Sequence, residues 1–239
     1  MKKIIKYSII LPCLNELENL KILIRQIKIS LKKEKYEIII VDENSIDGTQ
    51  KYFQDNKKVL NNNKIRFFSL KKKTGLAKSI YLGIKNSFGK NIVVMDSDCN
   101  HRVKDLRKLI LVNKKYNNDL TCGSRFVKNG ASNNLMRHFL SYFFNKIVNI
   151  ILNGKINDNL SGFFIFNKEK IKKLKLKSIF CGYGEYYIRL LYYSQKKKYS
   201  YKEIGVKYGK RVYGSSKSKF IKMFFIYLTV CVKLRNEKD

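Results

Sequence analysis

The chain has 239 residues, of which 44% are hydrophobic, so it can bury a sizeable core but is short for two independent domains. Lys and Arg number 51 against 18 Asp and Glu, and the net charge of +33 favours an anionic partner such as a nucleotide, a nucleic acid or an acidic membrane surface. Five widely spaced cysteines without a CxxC pair, and only two histidines, argue against a disulfide framework, a zinc site and a histidine-based nucleophilic triad.

The amino-terminal residues imitate a signal peptide, with a basic flank and an apolar run that ends at Leu11. Pro12 follows at once and no small-residue cleavage site is present, so we expect no cleaved leader. No window reaches the 18 or so charge-poor apolar residues that a membrane span requires. The nearest candidates, 135–152 and 220–234, are interrupted by charges, and we expect helices that are buried or that lie against a surface.

Strands and helices alternate through the first half of the chain. Continuous apolar runs predict strands over residues 7–11, 37–41, 65–70 and 92–95. Apolar residues recur every three to four positions over 17–31, which predicts a helix. A second helix is predicted from Gly75 to Gly89, because apolar residues fall four apart at Leu76, Ile80, Ile84 and Phe88. This βαβαβαβ order implies an α/β protein with a parallel sheet and right-handed crossovers.

The second half continues the pattern with less regular spacing. Helices are predicted around 106–111, over 135–152, after Glu185 and from residue 220 to 234. Strands are predicted over 120–122, after Ser161-Gly162, and over 199–206. A single proline and no internal repeat leave no evident linker, so residues 1–239 are interpreted as one domain.

Two carboxylates one residue apart, with an amide two residues further on, follow the strand over 92–95: Asp96, Asp98 and Asn100. Ligands collect beyond the carboxyl ends of strands in open α/β sheets, and a close carboxylate pair repels itself unless a cation lies between. Oxygen ligands suit Mg²⁺ or Mn²⁺, which keep positions open for phosphates. The alternative is an acidic turn or a helix N-cap.

The familiar nucleotide-binding loops are missing from the sequence. No GxGxxG follows the first strand, and 83–90 has the wrong spacing for a P-loop. Asp42 or Glu43, at the end of the second strand, could accept hydrogen bonds from a base. The alternative for 42–49 is an Asx-rich turn that caps the next helix.

Seven clusters in order resemble the inverting family 2 glycosyltransferases, and among them the dolichyl-phosphate mannosyltransferase-like branch. The clusters are Pro12-x-x-Asn15-Glu16, Val41-Asp42-Glu43-Asn44-Ser45-x-Asp47-Gly48-Thr49, Gly75-Leu76, Met95-Asp96-Ser97-Asp98-x-Asn100-His101, Gly123-Ser124-Arg125, Ser161-Gly162-Phe163 and Arg211-x-x-Gly214-x-Ser216-Lys217. The resemblance covers about residues 7–217. It implies a GT-A fold, which is a Rossmann-like, mostly parallel sheet flanked by helices, with a helix at the carboxyl end. Residues 1–123 would bind nucleotide-sugar and metal, and 124–239 the acceptor.

The resemblance also implies roles for individual residues. The base and ribose pocket of a nucleotide-sugar would be lined by Pro12, Leu14, Glu16, Asp42 and Glu43, with Ser97 on the ribose or sugar. Metal ligands would be Asp96, Asp98 and Asn100, holding Mg²⁺ or Mn²⁺ on the diphosphate. Arg125 and Arg137 would clamp the acceptor phosphate, while Arg211 and Lys217 would neutralise the departing diphosphate. Asn100 stands where the family usually has Gln, and Glu43 where it usually has Asp.

The nature of the acceptor decides whether a catalytic base is needed. A phosphate monoester is mostly dianionic at neutral pH and can attack unaided, positioned by arginine forks. A sugar hydroxyl requires a carboxylate base, for which Glu185 is the candidate and Asp158 the second. The alternative for Glu185 is a helix N-terminal carboxylate favoured by the helix dipole.

The expected function is transfer of a hexose from GDP-mannose or a UDP-hexose to a polyprenyl phosphate. We expect the enzyme to be peripheral on the cytoplasmic face of a membrane, and the resemblance leaves room for a small membrane-anchor subunit. Extension of a glycan at a hydroxyl is the first alternative. The second alternative is a catalytically silent, basic nucleic-acid-binding protein. No recognition motif supports it, so no nucleic-acid partner is expected.

Overall fold

A computed structural model describes residues 5–62, 64–209, 213 and 220–237. The first half contains strands β1 to β4 and helices α1 to α4. Their bounds are β1 Tyr7–Cys13, α1 Leu17–Ser30, β2 Tyr36–Asp42, α2 Thr49–Asp55, α3 Lys57–Asn62, β3 Ile65–Ser69, α4 Leu76–Lys85 and β4 Asn91–Val94. The second half contains β5 to β7 and α5 to α10. Their bounds are α5 Val103–Tyr116, β5 Leu120–Ser124, α6 Leu135–Leu152, β6 Phe164–Asn167, α7 Lys168–Lys172, α8 Leu176–Ile179, α9 Tyr186–Lys196, β7 Tyr201–Gly205 and α10 Phe220–Arg235.

The seven strands of this sheet are ordered β3-β2-β1-β4-β6-β5-β7. Strands β3, β2, β1 and β4 are parallel, and β5 is parallel to β7. The exception is β6, which runs antiparallel to both β4 and β5. The mostly parallel α/β sheet predicted from the sequence is therefore confirmed. Because β1, β2 and β4 are parallel neighbours, the loops after them meet at one edge of the sheet.

Helices cover both faces of the sheet, and β1 shows how the sequence divides between them. Ile9 and Leu11 face the layer that contains α1, α2 and α5, while Ile10 faces α4 and α9. All three are fully buried. A strand that is apolar on both faces reads as a continuous hydrophobic run, which is the pattern expected of a buried parallel strand.

Helix α4 is shorter than its periodicity predicted. It ends at Lys85, and Phe88 is 67% exposed rather than part of the apolar stripe. The Arg66 guanidinium lies 4.2 Å from the centre of the Phe88 ring. The chain leaves the helix because Glu37, a buried residue of β2, accepts the Phe88 N–H at 2.6 Å as well as the Ser8 hydroxyl. A tertiary hydrogen bond therefore overrides the spacing of four.

Helices α6 and α10 pack together with α9 in a separate apolar cluster centred on Phe144, Ile188 and Tyr227. A group of amides fixes α6 to the loop that follows it. The Asn145 side-chain oxygen accepts the Asn159 N–H at 2.6 Å, and the Asn149 side-chain oxygen accepts the Asn159 side-chain amide at 2.9 Å. The position of α6 is therefore set by directional hydrogen bonds as well as by packing.

Candidate active site

A cleft of about 510 Å³ opens at the carboxyl ends of β1, β2 and β4. Ten of the residues that sequence reasoning selected line it: Pro12, Leu14, Glu16, Glu43, Asp96, Ser97, Asp98, Asn100, Arg125 and Arg137. We call the first eight of these the strand wall. We call a second group of lining residues, from α6, α10 and the start of α9, the helix wall: Arg137, Tyr183, Gly184, Tyr186, Met223 and Tyr227. A third group, which we call the floor, consists of Arg125, Leu160, Ser161, Gly162 and Tyr208.

The loops after β1 and β2 are bonded to each other. Asn15 adopts a φ of +56°, which asparagine tolerates better than most residues. Its N–H donates to the Ser45 hydroxyl at 2.7 Å, and its side-chain oxygen accepts the Ile46 N–H at 2.9 Å. Asp47 accepts the Leu17 N–H at 2.9 Å, at the start of α1. These residues of the sequence motifs therefore support the strand wall without lining the cleft themselves.

Asp42 lies beside the cleft rather than in it. The residue is fully buried, and its carboxylate accepts the Ser45 N–H and the Gln50 side-chain amide, both at 3.0 Å. The Asx turn that the sequence offered as an alternative is present in this segment at Asp47, which accepts the Thr49 N–H at 3.1 Å. Glu43 is the acid of this pair that lines the cleft, where it also accepts the Gly75 N–H at 3.2 Å.

The loop after β4 presents its two carboxylates together. Ser97 donates its hydroxyl to the Pro12 carbonyl at 2.8 Å, which ties this loop to the end of β1. Asn100 donates both its N–H and its side-chain amide to Asp98, at 3.0 and 2.8 Å. In this arrangement the Asn100 amide nitrogen faces Asp98, so the residue orients that carboxylate directly. Burial, reinforced by Asp98, raises the pKa of the neighbouring Cys99 thiol to about 11, so the thiol stays protonated.

The donor atoms of this loop fit a hard divalent cation. Asp96 and Asp98 supply carboxylate oxygens and Asn100 carries an amide oxygen, the set that Mg²⁺ and Mn²⁺ prefer. The Asp96 side chain is 42% exposed toward the cleft, which leaves room for an ion and for its other ligands. Across the described residues no three His, Cys, Asp or Glu side chains form a metal-binding group, so a cation here would need oxygens from its substrate as well.

Arg125 and Asp158 form a buried ion pair in the floor. The Arg125 Nε and Nη2 atoms each donate to Asp158 at 2.8 Å, and the Arg125 main-chain N–H donates at 2.9 Å. Arg125 is 7% exposed and Asp158 is fully buried. Although burial disfavours its charge, the Asp158 carboxylate raises the pKa of the guanidinium. The fork that the sequence assigned to an acceptor phosphate is therefore made with Asp158.

Arg137 is the accessible cation of the helix wall. It lies in the first turn of α6, where the Asn134 side chain caps the helix by accepting the Arg137 N–H at 2.8 Å. Its side chain is exposed, and none of the described carboxylates pairs with it. Arg125 and Arg137 thus line one cleft in opposite states, the first neutralised and the second available.

Tyrosines form much of the helix wall and floor, and sequence reasoning missed them. Burial raises the pKa values of Tyr186 and Tyr208 well above the usual range. It also raises the pKa of Tyr227, reinforced by Glu185 and opposed by Arg137. Their hydroxyls therefore remain protonated and can donate hydrogen bonds. In the sequence they read as core aromatics; the one local signal is the glycine-rich turn around Tyr183.

Glu185, the first candidate for a base, is not among the residues that line the cleft. Its carboxylate accepts the Tyr183 N–H at 3.0 Å and lies 3.8 Å from the Arg189 guanidinium. It precedes the first residue of α9, as the helix N-terminal alternative predicted. Asp158, the second candidate, has both oxygens bonded to Arg125.

Arg211 and Lys217 lie outside the described residues. Tyr213, between them in sequence, is described, and its main chain forms two hydrogen bonds of 3.2 Å with the Asn19 side chain on α1. Asn19 also donates to Glu16 on the strand wall at 2.5 Å. The chain at residue 213 is therefore joined to the strand wall.

Helix α6 carries an apolar outer face that begins beside Arg137. Exposed along it are Leu135, Met136, Phe139, Leu140, Tyr142, Phe143 and Ile150. On α10, Phe225, Ile226 and Val232 are also exposed. These side chains therefore lie outside the buried core. None of the helices in the described ranges is both long enough and apolar enough to span a bilayer.

A family model described as Glycosyl transferase family 2 matches residues 8–175. The dolichol-phosphate mannosyltransferase of Pyrococcus furiosus is 32% identical over 184 residues, which are 73% of this chain and 49% of that protein. The human dolichyl-phosphate beta-glucosyltransferase is 28% identical over 218 residues, which are 83% of this chain and 66% of that protein. The chain thus spans from half to just under two thirds of the length of these curated relatives.

The fold is similar to that of glucosyl-3-phosphoglycerate synthase from Mycobacterium tuberculosis. Its crystal structure in complex with Mn²⁺, uridine diphosphate and phosphoglyceric acid matches with a TM-score of 0.74 at 16% identity, covering 98% of this chain and 80% of that one. The complex with Mg²⁺ and uridine diphosphate gives 0.73 at 15% identity, with the same coverage. At this level of identity the match shows the fold, and it confirms the expected GT-A architecture.

Proposed function

Because the chain belongs to glycosyl transferase family 2, we propose that it is an inverting hexosyltransferase that uses a nucleotide-sugar, GDP-mannose or a UDP-hexose, and a polyprenyl phosphate. Two relatives are named as dolichyl-phosphate sugar transferases, which supports dolichyl or undecaprenyl phosphate as the acceptor. Residues 1–123 would contribute the donor side and 124–239 the acceptor side of a single domain.

The state of the carboxylates on the acceptor side carries this proposal. A hydroxyl acceptor needs a carboxylate to remove its proton. Asp158 accepts two bonds of 2.8 Å from Arg125, and Glu185, which does not line the cleft, accepts the Tyr183 N–H. A phosphate acceptor needs no base, because its second pKa near 6 leaves it dianionic at neutral pH. It needs a cation to position it, and Arg137 is available.

On the donor side, Asp96 and Asp98, with Asn100 next to Asp98, would hold Mg²⁺ or Mn²⁺ on the diphosphate. The ion, when bound, supplies positive charge that stabilises the leaving diphosphate. Glu16, Glu43, Pro12 and Leu14 would contact the nucleoside, and Ser97 the ribose or sugar. Similarity to a synthase crystallised with Mn²⁺ or Mg²⁺ supports a divalent ion in this fold.

The transfer step follows from these roles. An oxygen of the acceptor phosphate, positioned by Arg137, attacks the anomeric carbon while the bond from that carbon to the diphosphate oxygen breaks on the opposite face. The configuration is therefore inverted, and the electron pair of the broken bond leaves with the diphosphate. Arg211 and Lys217 would neutralise that charge. Protonated tyrosine hydroxyls of the helix wall can donate to the sugar without ionising.

We place the enzyme at the cytoplasmic face of a membrane, attached peripherally. The apolar outer face of α6 begins at Leu135 and Met136, adjacent to Arg137, and α10 adds Phe225 and Ile226. A bilayer against this face would present the phosphate of a lipid to the cleft while its chain stayed among the acyl chains. A small membrane-anchor subunit could share this surface.

The decisive experiment measures transfer of radiolabel from a panel of GDP- and UDP-sugars into organic-extractable product. Each reaction is run with and without polyprenyl phosphate, and with Mg²⁺ or Mn²⁺ added or chelated. Metal-dependent label in the lipid phase is expected, and its loss in Asp98→Asn. The matched control is Asp55→Asn, an exposed carboxylate on α2, which we expect to leave activity unchanged.

The same assay distinguishes a lipid phosphate acceptor from a sugar hydroxyl acceptor. Label that enters only a glycan, together with loss of transfer but not of donor binding in Glu185→Gln, would replace the lipid acceptor by a sugar hydroxyl. Under the proposal, Glu185→Gln retains transfer to lipid. Full metal-dependent activity in Asp98→Asn would remove the metal assignment.

A further inference from the structure

His101 joins the carboxylate loop to the floor through a continuous series of hydrogen bonds. The Asp96 N–H donates to His101 Nδ1 at 2.9 Å, and His101 Nε2 lies 3.0 Å from the Tyr208 hydroxyl. Tyr208 in turn donates to the Ser161 carbonyl at 2.8 Å. Because Nδ1 accepts a hydrogen bond, the proton of the neutral ring is on Nε2, which donates to Tyr208.

The Asp96 N–H needs such an acceptor because it lies just beyond the sheet. Strand β4 pairs with β1 only as far as Val94, and the Met95 N–H still reaches the Ile10 carbonyl at 3.3 Å. At Asp96 the chain has left the ladder, and a main-chain donor without a partner is costly. His101 supplies the partner, so the direction of the main chain at Asp96 depends on that ring.

Packing fixes the ring itself. His101 is 1% exposed and stacks on Phe163 with ring centres 4.6 Å apart. On the other side, the Tyr208 ring lies 4.9 Å from the Arg125 guanidinium. One half-buried tyrosine therefore contacts both the imidazole that orients the carboxylate loop and the arginine in the floor.

We call residues 206–209, which carry Tyr208, the brace. Its main chain is bonded on both sides: the Tyr208 N–H donates to the Ala131 carbonyl at 3.0 Å, and the Gly209 N–H to the Asn100 carbonyl at 2.8 Å. The Lys207 N–H donates to the Asp105 carboxylate at 3.1 Å. The brace thus holds the carboxylate loop at Asn100 through its main chain and at Asp96 through the side chains of Tyr208 and His101.

We propose that His101 and Tyr208 are positioning residues that hold the Asp96–Asn100 loop in its cation-binding geometry and couple it to the acceptor side of the cleft. The proposed bracing is a property of the free protein, and its consequence for the cation rests on the proposed function. His101 therefore acts through Asp96 rather than as a ligand. Removal of either side chain should loosen the loop and weaken cation binding without unfolding the sheet.

The first test reads the loop directly, with neither metal nor nucleotide present. Amide hydrogen exchange is followed by mass spectrometry in a peptide covering 94–102. Tyr208→Phe keeps the ring against Arg125, and His101→Phe keeps the stack on Phe163; we expect exchange to quicken about fivefold in each. His101→Asn retains an oxygen acceptor near the position of Nδ1 and should stay within about twofold of wild type.

The matched control is Tyr7→Phe, which removes a buried hydroxyl that has no hydrogen-bond partner among the described residues and lies outside the cleft. It should leave exchange in 94–102 unchanged. Equal exchange in wild type, Tyr208→Phe and His101→Phe would overturn the bracing. Equally fast exchange in Tyr7→Phe would show general destabilisation instead, and would also overturn it.

The second test measures Mn²⁺ binding from the electron paramagnetic resonance signal of the free ion, with uridine or guanosine diphosphate present. We expect Tyr208→Phe and His101→Phe to raise the dissociation constant about fivefold, and His101→Asn to recover most of the loss. Wild-type affinity in all three variants would overturn the effect on the cation. If the wild-type protein binds no Mn²⁺ with either nucleotide, the metal assignment itself fails, while the exchange experiment still decides the bracing.

Discussion

The two walls of the cleft are built in different ways. On the strand wall, carboxylates follow β2 and β4 directly, and main-chain donors a few residues away orient them, as when the Asn100 N–H donates to Asp98. On the helix wall the polar groups are tyrosines and Arg137, and their positions depend on how α6, α9 and α10 pack. Carboxylates thus line the strand wall, whereas Glu185 and Asp158 do not line the cleft and are bonded to Tyr183 and Arg125. We infer that the strand wall takes cation and diphosphate, and the helix wall an anionic acceptor.

The largest effect should come from breaking the ion pair in the floor. Asp158→Asn leaves the Arg125 guanidinium buried without its counter-charge, and we expect a loss of about 3–5 kcal/mol in the free energy of unfolding. Denaturant titration followed by circular dichroism measures it. Glu169→Gln, which removes the exposed partner of Lys172, should cost about 0.5 kcal/mol or less. Similar losses in both variants would contradict the structural role assigned to Arg125.

Arg137→Ala tests the accessible cation of the helix wall. Because charged hydrogen bonds to phosphate contribute about 1.5–3 kcal/mol, we expect kcat/KM for the lipid phosphate to fall about tenfold or more, with donor KM unchanged. Arg137→Lys should recover only part of the loss, since lysine lacks the planar fork. Arg107→Ala, an exposed arginine on α5, serves as the control. A fall in donor rather than acceptor kinetics would assign Arg137 to the other wall.

Phe139→Ser tests whether the outer face of α6 binds membranes, independently of the cleft. Phe139 is 61% exposed, so the free energy of unfolding should change by less than about 0.5 kcal/mol. Its removal from a membrane contact should weaken binding to anionic vesicles about tenfold, measured by co-sedimentation. Phe88→Ser removes an aromatic ring that is 67% exposed outside this face and should leave vesicle binding unchanged. Equal losses in both variants would indicate a nonspecific effect.

The smallest expected effect is on the stability of the fold at acidic pH. Although burial opposes it, hydrogen bonds from Lys108, the Lys207 N–H and Arg102 lower the pKa of Asp105. This carboxylate therefore stabilises the fold above its unfolded pKa of about 4, and the contribution is lost as pH falls through the lower folded pKa. Asp105→Asn should be less stable at neutral pH and should lose less stability on acidification. Unfolding midpoints between neutral pH and about pH 3 test this, and parallel curves would refute it.

The difference between the walls also explains what the sequence could predict. Asp96, Asp98 and Asn100 fall within five consecutive residues, and the strand before them is apolar on both faces, so the sequence alone places them at a strand end. Pro12, Glu16 and Glu43 also follow predicted strands closely in sequence, and all three line the strand wall. Asp42 was predicted to line the nucleoside pocket, but its carboxylate lies beside the cleft and is bonded to Ser45 and Gln50. Residue types alone do not distinguish a ligand-binding carboxylate from one that stabilises a turn.

The floor and its link to the loop after β4 depend on contacts between distant segments. The bonds between Arg125 and Asp158 join positions 33 residues apart, and those between His101 and Tyr208 span 107. No spacing rule in the sequence relates such pairs, and a tyrosine among apolar residues is ordinarily interpreted as part of the hydrophobic core. The fold itself was more accessible, because the alternating strands and helices predicted the mostly parallel sheet. The antiparallel β6 and the early end of α4 at Lys85 depended on tertiary hydrogen bonding.

The amides that fix α6 bear on how this protein could change over generations. Asn145 and Asn149 hold the helix from its inner side through Asn159, while the outer side chains contribute little to the fold. Substitutions along the outer face should therefore change the free energy of unfolding only slightly. Descendants of this chain could alter their affinity for a membrane, or trade it for a protein neighbour, without disturbing the loop that carries Asp158.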